Sequence, residues 1–417
     1  MKIVLFTALL PTPDNYGGAS ALMYHLMKNR ENNIDLLIVS LNDNNVNKDS
    51  INQISKELKA TIIATPRTFF DKVKMYSKLN RVLNCFRKAR IDNAAYYKLP
   101  KSLIIKIDKF KPDLIWIYPC SFLGVVHQMK SYPILACGCD CEALHISRLL
   151  RDSYVIDKKL FKEELYKYQT KFNNIIKWNT IPNAHIHLVG KTDEEYFKLI
   201  APNAKVKFFQ HPHYNLNNKT IDFNKNILKV IISGNFNLYT YSDTIKMIEA
   251  FCLCNSNVLR QNINFSFLGK NWEQHINKLN EYGYSAKKQG WVESYVEYIK
   301  DFDIQIFPIS IGTGTKGKVL DALSTGLLCI GSQYAFENIA VKPNKSCVLY
   351  NKAEEIPALL ENVFENKSYY ENIAKHGKEN VRYYHNPEYI TKEILDWCKT
   401  DNYHINLEHF HILPLKS

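Results

Sequence analysis

The chain has 417 residues, of which 46% are hydrophobic, and its formal net charge is +13. This length exceeds what one compact core normally serves and predicts two domains with some terminal elaboration. Because no apolar run reaches about 18 residues, the sequence argues against a membrane-spanning helix. The ten cysteines, with no recognisable secretory signal ahead of them, predict reduced thiols in the cytoplasm.

The N-terminal segment predicts a βαβ unit. The apolar run at residues 2–7 is typical of a buried parallel strand, residues 19–29 have helical spacing, and residues 34–41 form the next strand. Gly17 and Gly18 therefore lie where the first strand ends, and open α/β sheets bind ligands at that edge. A flexible turn before the helix explains the two glycines equally well.

The segment 67–111 is strongly basic. It contains thirteen lysines and arginines against three acidic residues, together with apolar residues at helical spacing between Phe69 and Phe86. Either the apolar stripe packs on the domain core and the charges are solvated, or the helix lies on an anionic membrane surface. Nucleic acid is disfavoured as a partner because no recognition motif accompanies the charge.

Three cysteines alternate in the sequence CGCDC. Cys137, Cys139 and Cys141 would all point the same way on an extended backbone. A metal site is disfavoured because zinc sites space their cysteines more widely and need a fourth ligand. We therefore expect no metal here.

A polar cluster occupies the same stretch. Asp140, Glu142 and His145 follow a predicted strand at residues 134–137. Carboxylates at the carboxyl end of a strand can orient or deprotonate an acceptor hydroxyl. The alternative is an ordinary solvated loop.

The Asn-rich stretch 210–226 lacks periodicity and contains Pro212, so it is interpreted as an interdomain linker. The predicted organisation is an N-terminal Rossmann-like domain over 1–215 and a linker over 216–226. A second domain follows over 227–385, and a terminal helix and tail occupy 386–417. The second domain opens with a strand that closes on Gly234.

The most informative stretch covers residues 303–332 and predicts strand, glycine loop, helix and strand. Gly312 and Gly314 free the loop, and a helix N-terminus presents N–H groups and a positive dipole end to a phosphate. Lys316 and Lys318 add two positive charges at that point. Asp321 lies one turn into the helix, where its carboxylate could accept hydrogen bonds from ribose hydroxyls.

The run GTGTKGKVLDALSTGLLCIGS resembles the donor-site signature of GT-B glycosyltransferases of family 4. GWVESYVEYIKDFDIQIFPIS and IISGNFNLYTYSDTIKMIEAF resemble the segments that precede this signature in the family. The resemblance implies an α/β fold of two Rossmann-like domains with an interdomain cleft, and a terminal helix that crosses back to the first domain. The donor-binding residues that it implies are Gly17, Gly18, Gly234, Asn235, Trp291, Val292, Gly312, Thr313, Gly314, Thr315, Val319 and Asp321.

The same resemblance implies a glycosyltransferase that retains anomeric configuration and uses a UDP- or GDP-sugar. Because no DxD-type motif is evident and two lysines flank the helix N-terminus, we expect no metal and no further cofactor. Lys318, Lys316 and Asp140 are the expected catalytic residues, and Tyr118, Glu142 and His145 the expected acceptor-side residues. The acceptor would be a glycan or a polyprenyl-linked sugar in bacterial surface polysaccharide synthesis. Such an enzyme would be cytoplasmic, with peripheral contact at the inner face of the membrane.

Three positions depart from the family pattern. Tyr118 stands where the family often has histidine, Asn235 where it often has a cation, and Asp321 where it usually has glutamate. Two alternatives therefore stay open. One is a nucleotide-sugar epimerase of the same fold, and the other is a non-catalytic scaffold.

Overall fold

The computed structural model describes residues 1–16, 19–68, 91–181, 184–213, 219 and 221–399. The chain divides into two compact units. Unit 1 contains residues 1–150 and 154–212 and the C-terminal helix Pro387–Lys399, and unit 2 contains residues 151–153 and 213–386. Each unit is a parallel sheet with helices on both faces, as the predicted α/β class requires.

The sheet of unit 1 has the order β3-β2-β1-β4-β5-β6-β7, and all its pairings are parallel. Its central strands are almost wholly buried, because helices cover both faces. The strands are β1 (Lys2–Thr7), β2 (Asp35–Ser40), β3 (Ala60–Ala64), β4 (Leu114–Tyr118), β5 (Ile134–Gly138), β6 (Ala184–Leu188) and β7 (Lys205–Phe208).

Two hydrophobic clusters form the core of unit 1, one on each face of the sheet. The C-terminal helix contributes Ile390, Ile394 and Leu395 to one of them, where it packs beside the first helix. The helices are α1 (Ala21–Lys28), α2 (Lys48–Glu57), α3 (Lys101–Phe110), α4 (Leu123–Gln128), α5 (Glu142–Ile156), α6 (Lys158–Lys177) and α7 (Lys191–Ile200).

The sheet of unit 2 is also parallel, with the order β10-β9-β8-β11-β12-β13. Its strands are β8 (Leu228–Ser233), β9 (Ile263–Leu268), β10 (Ser285–Gln289), β11 (Ile304–Phe307), β12 (Leu328–Gly331) and β13 (Val348–Leu349). Its helices are α8 (Tyr241–Leu253), α9 (Asn257–Asn262), α10 (Glu273–Glu281), α11 (Tyr295–Ile299), α12 (Gly317–Thr325), α13 (Gln333–Phe336), α14 (Ile356–Glu365) and α15 (Lys367–Tyr384).

The structure can be compared with two predictions made from the sequence, one on the three cysteines and one on membrane-spanning helices. The three cysteines do not share a face: Cys137 and Cys139 pack with one core cluster and Cys141 with the other, because α5 begins at Glu142 and ends the extended backbone. Among the helices that the structure describes, none combines the length and hydropathy needed to cross a bilayer.

Candidate functional site

The strand order of unit 2 reverses direction between β8 and β11, which creates a topological switch point. Ligands of open α/β sheets bind outside the carboxyl ends of the strands at such a point. The loops that leave this edge carry Gly234 after β8, Trp291 beyond β10, and the glycine loop 308–316 after β11.

Helix α12 opens with unsatisfied backbone donors. Lys316 occupies the N-cap position, and no side chain caps the helix. Val319 and Leu320 already donate their N–H groups to the Lys316 carbonyl, at 3.0 and 3.2 Å. Within the described residues the N–H groups of Gly317 and Lys318 have no acceptor, and no atom lies within 4 Å of a Cβ built on Gly317. This helix end is therefore open to an anion.

The Lys316 side chain holds the glycine loop together. Its ammonium donates to the carbonyls of Thr313 (3.0 Å) and Gly314 (3.1 Å) and lies 3.5 Å from the Glu337 carboxylate. A Cβ on Gly312 would lie 2.8 Å from Lys316 Cε, so a side chain at this position would displace the folded-back lysine. Lys316, which was predicted to be catalytic, thus stabilises the conformation of the loop.

Lys318 is placed differently from Lys316. Its Nζ lies 4.5 Å from the ring centroid of Tyr295, within cation–π range. Burial of the ammonium lowers the pKa of Lys318, and the Asp321 carboxylate opposes that shift. Of the two predicted lysines, Lys318 is therefore the one whose ammonium lies over an aromatic ring instead of folding back on the glycine loop.

Tyr295 is itself fixed by hydrogen bonds. The Gln305 side-chain amide donates to Tyr295 Oη (2.8 Å) and to Ser233 Oγ (2.5 Å), and the two hydroxyls lie 3.1 Å apart. Gln305 is fully buried in β11, and Ser233 ends β8. The sequence does not reveal this network, because Ser233 lies 62 positions from Tyr295 and 72 from Gln305.

The other predicted donor residues on these two segments differ in exposure. Val319 is fully buried and Thr313 nearly so, whereas Thr315 and Asp321 are half-buried. A ligand at the open end of α12 can therefore meet Val319 only through its backbone. Asn338, which was not predicted, donates from Nδ2 to the Gly314 carbonyl at 3.0 Å and so supports the loop.

The loop after β8 is tied to the loop after β9. Gly234 has a φ of 115°, its carbonyl accepts a hydrogen bond from Trp272 Nε1 (2.7 Å), and Asn235 Oδ1 accepts one from the Lys270 N–H (2.9 Å). The side-chain oxygen of Asn235 thus has a structural partner. Beyond β10, Trp291 is 76% exposed. Val292 is half-buried against the core of unit 2.

Unit 1 carries the predicted acceptor-side residues at the carboxyl end of β5. The Asp140 carboxylate lies 3.9 Å from His145 Nδ1, and Lys171 bridges Glu142 (2.8 Å) and Asp92 (2.6 Å). Desolvation raises the pKa of Glu142, and the Lys171 ammonium counteracts this. Lys171 and Asp92 were not predicted, since only the fold brings them to Glu142.

The remaining acceptor-side residue, Tyr118, is buried at the end of β4. Its Oη donates to the Ala19 carbonyl (2.9 Å) and lies 2.7 Å from Cys139 Sγ. Burial raises the pKa of Tyr118 well above its usual range, so the phenol stays neutral. Tyr118 therefore connects the end of β4 to Ala19 and Cys139 and supports this edge of the sheet.

Several predicted features lie outside the described residues. They are Gly17, Gly18 and residues 69–90 of the basic segment. In the described part of that segment, Arg67 is buried and forms a bidentate ion pair with Asp43, so this cation is structural.

Residues 250–396 match the family described as glycosyl transferase-like. No curated protein matches the chain significantly.

Solved structures share the architecture over nearly the whole chain. HepE from Anabaena in complex with UDP and glucose has a TM-score of 0.61 at 11% identity, covering 95% of this chain and 99% of its own. Sucrose-phosphate synthase from Thermosynechococcus elongatus has a TM-score of 0.64 at 13% identity, covering 96% of this chain and 98% of its own. The lipopolysaccharide outer core galactosyltransferase WaaB in its apo form has a TM-score of 0.59 at 12% identity, covering 96% of this chain and 100% of its own. These similarities establish the GT-B fold.

Proposed function

We propose that this chain, a glycosyltransferase of the GT-B type by its family match and fold, transfers a sugar from a UDP-linked donor to a glycan or lipid-linked acceptor. The observation that carries the proposal is the open N-terminus of α12 beside Lys318. Donors that are aimed at developing charge before the reaction starts stabilise a departing diphosphate at little reorganisation cost.

The choice of UDP over GDP rests on similarity. HepE, which shares the fold, was crystallised with UDP and glucose. Asp321 lies half-buried on α12, four residues beyond Gly317, where its carboxylate can accept hydrogen bonds from the ribose. Trp291 supplies an exposed aromatic surface beyond β10 for a base or a sugar.

We propose a retaining, metal-independent transfer in which the helix end and Lys318 stabilise the leaving diphosphate. The leaving oxygen then helps to deprotonate the acceptor hydroxyl, so no protein nucleophile is needed. Asp140, with His145 beside it, would orient that hydroxyl. Full activity in the presence of a chelator is the result expected from this mechanism.

The biological role that we propose is surface polysaccharide synthesis at the cytoplasmic face of a bacterial membrane. A lipid-linked acceptor would bring the enzyme to that membrane. The basic described residues of segment 91–111 would favour an anionic surface. They are Lys98, Lys101, Lys106, Lys109 and Lys111.

The test is sugar transfer from UDP-glucose, UDP-galactose and their N-acetyl forms to a panel of glycans and polyprenyl-linked sugars, followed by UDP release and product mass. The variant Lys318→Ala should lose activity, whereas Lys287→Ala, which changes an exposed lysine of strand β10, should not. Nucleotide binding without transfer or hydrolysis would favour the scaffold. Epimerised donor without an acceptor would favour the epimerase.

A further inference from the structure

The corner between α5 and α6 in unit 1 exposes consecutive apolar side chains. Tyr154 is 56% exposed, Val155 79% and Ile156 43%, and Leu165 in the second turn of α6 is 36% exposed. Scattered exposed apolar residues are ordinary in proteins, but three in a row at a helix corner are not.

These side chains form one surface. The ring of Phe161 meets the ring of Tyr154 edge-on, with a centroid separation of 5.3 Å and an interplanar angle of 80°. Because Phe161 and Leu165 are four residues apart on α6, they lie on one face of that helix. We call residues 154–156, Phe161 and Leu165 the apolar corner.

Cations surround the apolar corner. Lys158, Lys159 and Lys162 are exposed, and none forms an ion pair with another residue of the described chain. Of the two acids in residues 151–162, Asp157 uses its carboxylate to cap α6 by accepting the Lys159 N–H (2.9 Å), and Asp152 is half-buried. Just beyond, Glu163 is exposed and Glu164 pairs with Lys167. The rim of the corner is therefore predominantly positive.

We propose that the apolar corner inserts into the headgroup region of an anionic bilayer. Apolar side chains enter the acyl boundary while flanking lysines meet anionic headgroups, and both parts of this arrangement are present here. A second copy of the chain fits less well, because a twofold interface would set the same unpaired cations against each other. The surface differs from the basic segment 67–111 and does not depend on the donor site.

The experiment is co-sedimentation of the full chain with vesicles of phosphatidylcholine, alone or mixed with phosphatidylglycerol. Replacing Lys158, Lys159 and Lys162 together by glutamine should weaken binding to the anionic vesicles by about 100-fold at low salt, at about fivefold per lysine. Val155→Asp should weaken it by more than tenfold, and it should leave UDP affinity and the melting temperature unchanged, since the side chain is exposed.

The matched control replaces Lys345, Lys352 and Lys375, three exposed lysines of unit 2, by glutamine. We expect this triple variant to bind vesicles nearly as well as the parent. Binding that is lost only in the control variant, or binding unchanged in both corner variants, would overturn the proposal. The proposal would also be overturned if the parent did not bind vesicles but self-associated, and Val155→Asp abolished that self-association.

Discussion

The two sheets of this protein reverse strand order in the same way, but their switch-point edges are built from different chemistry. In unit 1 the strands on either side of the reversal are β1 and β4, and in unit 2 they are β8 and β11. Unit 2 presents glycines, an uncapped helix and a lysine at this edge. Among the described residues, unit 1 has a buried phenol and thiols at this edge.

The difference has a chemical consequence. Burial raises the pKa of Cys139 to about 12, and that of Tyr118 is raised as well, so both stay neutral near pH 7. The corresponding edge of unit 2 keeps backbone N–H groups and an ammonium available. A shared topology therefore does not give a shared site, and our proposal places the diphosphate in unit 2 because, among the residues that the structure describes, the edge of unit 2 combines open N–H groups with the Lys318 ammonium.

The largest expected effect is on the free energy of unfolding, and it differs between a glycine at the edge of unit 2 and one at the edge of unit 1. Gly269 has a φ of 130°, and an added Cβ would lie 2.3 Å from the Gly234 carbonyl oxygen, so Gly269→Ala should lower the free energy of unfolding by about 3 kcal/mol. Gly138→Ala in unit 1 would meet Leu188 and Cys120 side-chain atoms at 3.1 and 3.2 Å, and should cost about 1 kcal/mol. Urea unfolding of both variants measures the contrast. Equal losses of unfolding free energy in the two variants would show that both edges accommodate an added Cβ equally well.

The next effect separates binding from chemistry. If Asp140 orients the acceptor hydroxyl as proposed, Asp140→Asn should reduce kcat about 100-fold, while the affinity for UDP stays unchanged. Asp108→Asn serves as the control, since Asp108 accepts a hydrogen bond from the Tyr132 hydroxyl on another part of unit 1. Steady-state kinetics and calorimetry measure the two quantities. A weakened UDP affinity in Asp140→Asn would contradict the separation of roles.

A smaller effect concerns the pair Tyr295 and Lys318. Lys318→Ala should weaken UDP binding about 30-fold, and Tyr295→Leu about tenfold, because the ring no longer holds the ammonium. If Tyr295 acts through Lys318, the double variant should bind UDP no more weakly than Lys318→Ala alone. Tyr295→Phe keeps the ring and should change the affinity less than about threefold. Fully additive losses in the double variant would show that the two residues act independently.

The smallest effect is a pH dependence. Burial holds the pKa of Lys318 below the ordinary lysine value of 10.5, so raising the pH through that lowered value removes its charge. UDP affinity should then fall by about three- to tenfold at alkaline pH. Lys318→Arg should remove this dependence because guanidinium stays charged. Calorimetric titrations at several pH values provide the measurement, and identical profiles for parent and variant would assign the titration to another group.

Local patterns were enough to predict much of the fold and one part of the site. The change from glycine loop to helix at the start of α12 was predicted because Gly312, Gly314 and the following apolar spacing act over a short stretch. The α/β class followed from alternating apolar runs and helical periods. By contrast, strand β10 has the sequence SAKKQ and a mostly exposed edge, so hydrophobicity alone does not reveal it.

The rest of the site depends on contacts that no local pattern contains. Sequence alone gives Lys316 and Lys318 the same role, and only the fold shows that one folds back on its loop while the other lies over Tyr295. Lys171 reaches Asp92 across 79 positions, and the Gln305 amide reaches Ser233 across 72. Such long-range partners decide the charge and orientation of the predicted residues.

The measurement that tests the central claim most directly is a calorimetric comparison of UDP, UMP and uridine binding to the parent chain and to Lys318→Ala. If the open end of α12 holds the diphosphate, affinity should fall in the order UDP, UMP, uridine, and Lys318→Ala should weaken UDP binding while leaving uridine binding unchanged. Equal affinity for UDP and uridine, or UDP binding indifferent to Lys318→Ala, would show that the diphosphate does not lie at this helix end.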